Sequence, residues 1–321
     1  SYFLVQGIDF TGSGGAGLLL GGDHNAVNSC SAYENGTAGF ESTGSSNRIQ
    51  NTFTWLNAQY GILLDGAATS WVLNNSAYGN GSFGIALVSS TNSLLNNNNL
   101  WAAQTGQSCL GVDAPSQPTV SSDWNNLYPS GGAAVGDWSG VRSSLANWQS
   151  ASGQDPNSLS QNPRFYKIAW WGNREFIYDL HLISNYYGYS PDIDRGLSGG
   201  TVPLLDYDQE ERWDDPLVPN QGGGPFSYYD IGADEYVDAD IDYLPDYWEN
   251  LYFGHLGEGH HVDTDKDGLI NINEYYYYTN PANPDTDFDR LSDGEEIYYM
   301  TNPLDPATDY AGLMDGWEVY Y

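Results

Sequence analysis

Between Gly17 and Asn99 the chain repeats itself. A Gly followed by an apolar run appears at Gly17-Leu18-Leu19-Leu20, Gly39-Phe40, Gly61-Ile62-Leu63-Leu64 and Gly84-Ile85-Ala86-Leu87, at spacings of 22, 22 and 23 residues. Asn28, Asn51, Asn74 and Asn97 recur every 23 residues, and Asn35, Asn57 and Asn80 each precede the repeated Gly by four. The apolar runs, separated by Asn, Gly, Ser and Thr, are too short and wrongly spaced for an amphipathic helix. A solvated disordered tract would not set Leu, Ile and Phe at a fixed period either.

A period of 22 to 23 residues is one coil of a right-handed parallel β-helix, three short strands joined by turns. Coils stack at about 4.8 Å, so a residue type that recurs once per coil lies above its copy. The recurring Asn is therefore expected to form a ladder in which each side-chain amide bonds the next. Cys30 and Cys109 lie several coils apart, beyond the roughly 7 Å that a disulfide tolerates between Cα atoms, and read as buried free thiols.

Charge narrows the function. The 321 residues carry only nine Lys and Arg and a net charge of −33, which argues against nucleic acid and anionic membrane surfaces as partners. No apolar run of about 18 residues is present, so no membrane insertion is expected. The chain opens at Ser1-Tyr2-Phe3 without a signal-like core, so any export signal is taken to be already absent. Residues 237–321 hold 20 Asp and Glu against Lys266 and Arg290, a balance of −18. Three segments are expected: regular coils over 1–120, irregular coils and a cap over 121–236, and an acidic repeat domain over 237–321. Ser143-Ser144-Leu145-Ala146-Asn147-Trp148-Gln149 reads as a short helix with a Ser N-cap and Gly153 as its stop.

The series Trp148-Gln149, Gly153-Gln154-Asp155, Asn162-Pro163-Arg164-Phe165, Asp179-Leu180-His181-Leu182, Ser190-Pro191-Asp192-Ile193-Asp194-Arg195-Gly196 and Asp230-Ile231-Gly232-Ala233-Asp234-Glu235-Tyr236 resembles the closing segment of secreted bacterial right-handed β-helix proteins of the polysaccharide-lyase-like, or pectin-lyase-like, superfamily. The resemblance implies an all-β fold and export. It fixes no activity. Tyr-rich insertions around Tyr166 to Trp171 and Tyr186 to Tyr189 depart from that pattern.

The acidic domain carries the clearest chemistry. Residues 238–249, 263–274 and 285–296 align as twelve-residue loops with acids at positions 1, 3 and 5, Leu at 7, Asp or Asn at 9 and Glu at 12. This is the oxygen spacing of a calcium loop, in which side chains, one backbone carbonyl and a closing bidentate Glu surround Ca2+. The ligand set expected is Asp238, Asp240, Asp242, Leu244, Asp246 and Glu249; Asp263, Asp265, Asp267, Leu269, Asn271 and Glu274; and Asp285, Asp287, Asp289, Leu291, Asp293 and Glu296. Gly stands at position 6 only as Gly268, with Tyr243 and Arg290 in the outer loops. The tails Glu274-Tyr275 to Pro281 and Glu296-Ile297 to Pro303 resemble thrombospondin type 3-like repeats of bacterial secreted proteins. A fourth copy is degenerate: Asp309, Leu313, Asp315 and Glu318 fit, but Ala307 and Ala311 replace two acids. It is expected to bind poorly unless a neighbouring molecule supplies ligands.

A catalytic constellation is not evident. The regular coils offer Arg48 and the scattered acids Asp23, Glu34, Glu41 and Asp65, none repeated in register. Arg164, Lys167, Arg174 and Arg195 with Asp192 and Asp194 are explained by surface pairing, and Trp170-Trp171 with Tyr186, Tyr187 and Tyr189 by packing. The sequence thus reads as an extracellular or cell-surface calcium-binding structural or adhesive protein. Its expected partner is itself, head to tail in a filament. The alternative is a secreted polysaccharide-binding protein, polysaccharide lyase or glycosidase.

Overall fold

The computed structural model describes residues 3–169, 177–185, 188–308 and 312–320. They divide into two compact units, the β-helix with its closing segment (1–167, 179–183 and 189–236), and the acidic repeats from Val237 onward, to which the described residues of 168–178 and 184–188 are assigned. Trp170, Trp171, Arg174, Tyr186 and Tyr187, named above as candidate aromatics and bases, lie outside the described residues.

The first unit is a parallel β-helix. One sheet stacks the strands Leu18–Leu20, Ala38–Ser42, Tyr60–Asp65, Phe83–Val88, Ser108–Val112 and Ala134–Trp138 in register, with Phe40 beside Ile62, Ile62 beside Ile85 and Ile85 beside Leu110. The other sheet carries two strand segments per coil. They are separate in the first coil, as Leu4–Gln6 and Asp9–Thr11, fuse into Ala26–Tyr33 and Arg48–Trp55 in the next two, and separate again as Trp71–Leu73 and Ser76–Tyr78. The bend between them falls on Ser29, Asn51, Asn74, Asn97 and Trp124, all in the left-handed region (φ between 49° and 57°). Asn accepts that conformation more readily than most residues, which explains its recurrence there. Like stacks on like inside the coil: Val27, Ile49, Val72 and Leu95 are buried one above another.

The repeated Gly has a steric cause. A Cβ at Gly61 would stand 2.6 Å from the carbonyl oxygen of Gly84 and 2.9 Å from the amide nitrogen of Asn80. Gly17, Gly39 and Gly84 meet the next coil in the same way. The Asn four residues earlier forms a bonded ladder, Asn35 Nδ2 to Asn57 Oδ1 at 3.0 Å and Asn57 Nδ2 to Asn80 Oδ1 at 2.9 Å.

The expected ladder through Asn28, Asn51, Asn74 and Asn97 is corrected. Only Asn51 to Asn28 and Asn97 to Asn74 are bonded within that column, at 3.0 and 3.3 Å. Its amides face outward at a bend and serve the returning chain instead. Asn51 donates to the Leu205 carbonyl and Asn97 to that of Leu197, which in turn donates its N–H to Asn97 Oδ1. The second continuous ladder lies one residue along, through Asn75, Asn98 and Asn125 at 2.9 and 3.0 Å.

The coil closes as its motifs imply. Helix α1, Leu145–Ser152, is capped by the Ser144 side chain and stopped by Gly153 in left-handed conformation. Its Trp148 is fully buried in the coil core. Residues 190–236 then lie along the column of bends, reaching Asn97 at Leu197 and Asn51 at Leu205 and returning to Asn74 at Asp230, with a buried Arg212–Glu235 ion pair of 2.7 Å inside the segment. Cys30 and Cys109 are free and buried, and burial pushes the Cys109 thiol up to about 12.

Candidate metal centres

Each acidic loop is shaped by its own carboxylates. The position 1 side chain gathers two backbone N–H groups: Asp238 accepts from Asp242 and Tyr243, Asp263 from Lys266 and Gly268, and Asp285 from Asp289 and Arg290. The position 5 side chain accepts from the N–H at position 7, at 2.9 Å in Asp242, 2.7 Å in Asp267 and 2.7 Å in Asp289. Such side-chain to backbone turns are characteristic of Asp. Position 6 is left-handed in all three loops, with φ of 76° at Tyr243, 104° at Gly268 and 89° at Arg290. Two side-chain-bearing residues thus hold a conformation that disfavours them, so lack of Gly does not distort the outer loops. Leu244, Leu269 and Leu291 are buried and pin position 7.

The result is convergence of like charge. In Asp238/Asp240/Asp242, Asp263/Asp265/Asp267 and Asp285/Asp287/Asp289, one carboxylate oxygen of each residue lies within 4.8 Å of the others. Glu249, Glu274 and Glu296 at position 12 are fully buried, on the short helices α2, Asp246–Tyr252, α3, Asn271–Tyr277, and α4, Asp293–Tyr299. Both oxygens of Glu249 lack a hydrogen-bond partner, as does one oxygen each of Asp265, Glu274, Asp287 and Glu296. Buried acceptors are rarely left so. Burial first, and the neighbouring loop carboxylates second, push Glu249 up to about 8 and Glu274 and Glu296 to about 9. An oxygen-seeking cation would relieve both costs.

Position 9 is engaged in holding the loop. Asp246 accepts from the Ala239 N–H, Asn271 from the Thr264 hydroxyl, and Asp293 from both the N–H and hydroxyl of Thr286. The Thr of the repeated tail has a place too: Thr279 and Thr301 donate to one oxygen of Glu274 and Glu296. Of the fourth copy, Asp309 and Ala311 lie outside the described residues, Leu313 is exposed, and Asp315 begins helix α5, Asp315–Tyr320.

Among its described residues the β-helix unit holds one further group that the sequence did not single out, His181, Asp208 and Asp234. Its ring nitrogens are engaged by Asp179 and Asp208. Burial alone would lower this imidazole, but the carboxylates of Asp179, Asp208 and Asp234 raise it well above its ordinary value. The basic cluster does not assemble into a site among the described residues. Arg164 donates to the Tyr189 carbonyl, while Asp192 is buried and accepts from Asn99 and Asn126 on adjacent coils.

Sequence reading also missed a pair of rings on the outer face of the coil. Tyr60 and Phe83, paired one above the other on adjacent coils, are near-parallel at 8° with centroids 6.3 Å apart. Phe83 lies over Gly111, where a Cβ would stand 2.7 Å from the ring. With Asp113 and Asp137 they line a hollow of about 250 Å³. The available signal was an aromatic residue immediately before Gly61 and Gly84.

With this geometry in place, comparison with known proteins adds one finding. Residues 1–145 match the model of the family described as right handed beta helix region, and with the stacked coils this shows a right-handed parallel β-helix fold in the first unit. No curated protein and no solved structure matches the chain. Among the described residues no helix is long and apolar enough to cross a membrane.

Proposed function

We propose that this is an extracellular, calcium-binding structural or adhesive protein, secreted by a bacterium, in which three Ca2+ ions stiffen a repeat segment that follows a β-helix. The observation that carries the reading is the set of buried, partnerless oxygens on Glu249, Glu274 and Glu296, each facing the acids of its own loop. Calcium suits twelve-residue loops of oxygen ligands, and extracellular sites of this class bind at about 10⁻⁴ to 10⁻³ M. Self-association into a filament is part of the proposal. Exposed apolar side chains on the repeats support it: Phe288 is 74% exposed, Tyr298 78% and Met300 89%.

Calorimetry with calcium, paired with electron microscopy in calcium and then in chelator, tests this. Three bound ions and filaments that dissolve on chelation are the expected result. Absence of calcium uptake would remove the metal from the reading, and monodisperse particles at high concentration in calcium would remove the filament.

A second reading, glycan binding, is favoured by Tyr60 and Phe83. Two near-parallel rings flanked by Asp113 and Asp137 offer apolar faces to a sugar and acceptors to its hydroxyls. Retardation by immobilised polysaccharides that is lost in Tyr60→Ala would support it. Ultraviolet absorbance of an unsaturated product would reveal a lyase.

A further inference from the structure

We infer that the degenerate fourth repeat is a ligand donor to the third cation site, through Asp315, so that the cation bridges two repeats. The inference rests on the calcium reading of the loops. It goes beyond that reading by placing a ligand outside the twelve-residue loop.

One oxygen each from Asp289, Glu296 and Asp315 lies within 4.8 Å of the others, and all three residues are buried. Asp289 and Glu296 are positions 5 and 12 of the third loop, whereas Asp315 is position 9 of the next. A second observation points to a ligand: Glu296 is fully buried, and its Oε2 has no partner. The other contacts are all made by neutral donors. Glu296 Oε1 accepts from the Thr301 hydroxyl, Asp289 Oδ1 from the Leu291 N–H and Oδ2 from the Gly316 N–H, and Asp315 from the N–H and hydroxyl of Thr308. Among the described residues no Lys or Arg forms an ion pair with these three acids, and Glu296 Oε2, both Asp289 oxygens and Asp315 Oδ1 each keep a lone pair for a metal.

The repeats dock in a way that produces this arrangement. The Gly316 N–H donates to Asp289 Oδ2 at 2.8 Å, and a Cβ at Gly316 would stand 2.5 Å from the Asp289 carbonyl oxygen. The preceding joint is built alike, with Gly294 donating to Asp267 Oδ2 at 2.9 Å. There Asp293 faces Glu274 and Asp267 across the joint. The pair Asp-Gly at positions 9 and 10, present as Asp293-Gly294 and Asp315-Gly316, is what lets one repeat enter the site of the one before it. The fourth repeat therefore retains Asp315 and Gly316 although it has lost its own first and third acids.

The test is calcium calorimetry on the full chain and on Asp315→Asn, which keeps the size of the side chain. One of three sites should weaken by about tenfold or more while the other two stay unchanged, and calcium should cease to protect residues 312–320 from chymotrypsin. Thr308→Val, which removes the hydroxyl bond that holds Asp315 within its own repeat but keeps the carboxylate, should retain all three sites within about threefold. Three unaltered sites in Asp315→Asn would overturn the inference and leave the calcium reading standing. Equal weakening in both variants would also overturn it, because Asp315 would then act by holding the fold. A wild-type chain that takes up no calcium would sink the calcium reading itself and the inference with it.

Discussion

Asn125 Nδ2 lies 2.9 Å from Asp155 Oδ1, and there the chain of amides that climbs through Asn75 and Asn98 ends on a carboxylate. An amide ladder must end on an acceptor that needs no further donor of its own kind. Asp155 fills that place and also accepts from Ser122, Ser158 and the indole of Trp148, the residue that plugs the coil.

Replacing Asp155 by Ala is expected to strand the Trp148 indole and to take the shared acceptor away from the Ser122 and Ser158 hydroxyls, while Asn125 keeps the Leu95 carbonyl. Each buried donor left unpaired costs about 1–3 kcal/mol, so a loss on the order of 3 kcal/mol should appear in urea unfolding of the β-helix unit. A change below about 0.5 kcal/mol would show that the ladder needs no terminus.

Gly61→Ala should destabilise the coil by about 1–3 kcal/mol, the range for overpacking. The new methyl group meets the backbone of the next coil at Gly84, which cannot swing aside as a side chain would. Gly66→Ala makes a useful comparison, since nothing lies within 4 Å of its Cβ position and only the backbone cost of its φ of 65° remains.

Glu274→Gln should remove one calcium from the stoichiometry. At calcium near ten times the dissociation constant, each site adds about 1.4 kcal/mol to the repeat segment, so thermal unfolding in calcium should fall while unfolding in chelator does not. A variant as calcium-responsive as the wild type would exclude Glu274 from the site.

The β-helix unit should be more stable at pH 6 than at pH 8.5. Burial raises Asp192 to about 8, so the folded state holds this proton while the unfolded chain has released it. Stability from such a group is fullest below the ordinary carboxylate range and declines as pH rises toward 8. Asp192→Asn should flatten the slope of melting temperature against pH. An unchanged slope would place the titration elsewhere.

The Asn columns show how much of this was legible. Asn35, Asn57 and Asn80 could be read as a ladder because they keep a constant offset from the repeated Gly. The ladder through Asn75, Asn98 and Asn125 was hidden, because its last step is 27 residues where the earlier one is 23. Asn28, Asn51, Asn74 and Asn97 misled for the opposite reason. Their period is perfect, but a left-handed bend turns most of their amides toward the returning segment.

In the acidic domain, spacing alone located the loops, since the ligands of one loop are neighbours in sequence. It could not show that Asp315 stands beside Glu296, because that depends on how one repeat seats against the next. The sequence by itself determined the coil period, the apolar strand after each repeated Gly, the closing helix and the three carboxylate loops, all written in local spacing. Only the tertiary structure decided that residues 190–236 lie along the bends, that Tyr60 and Phe83 share a face with Asp113 and Asp137, and that position 9 of one repeat enters the site of another. Those relationships join residues far apart in sequence or in different repeats, and the stacking register that brings them together exists only once the chain has folded.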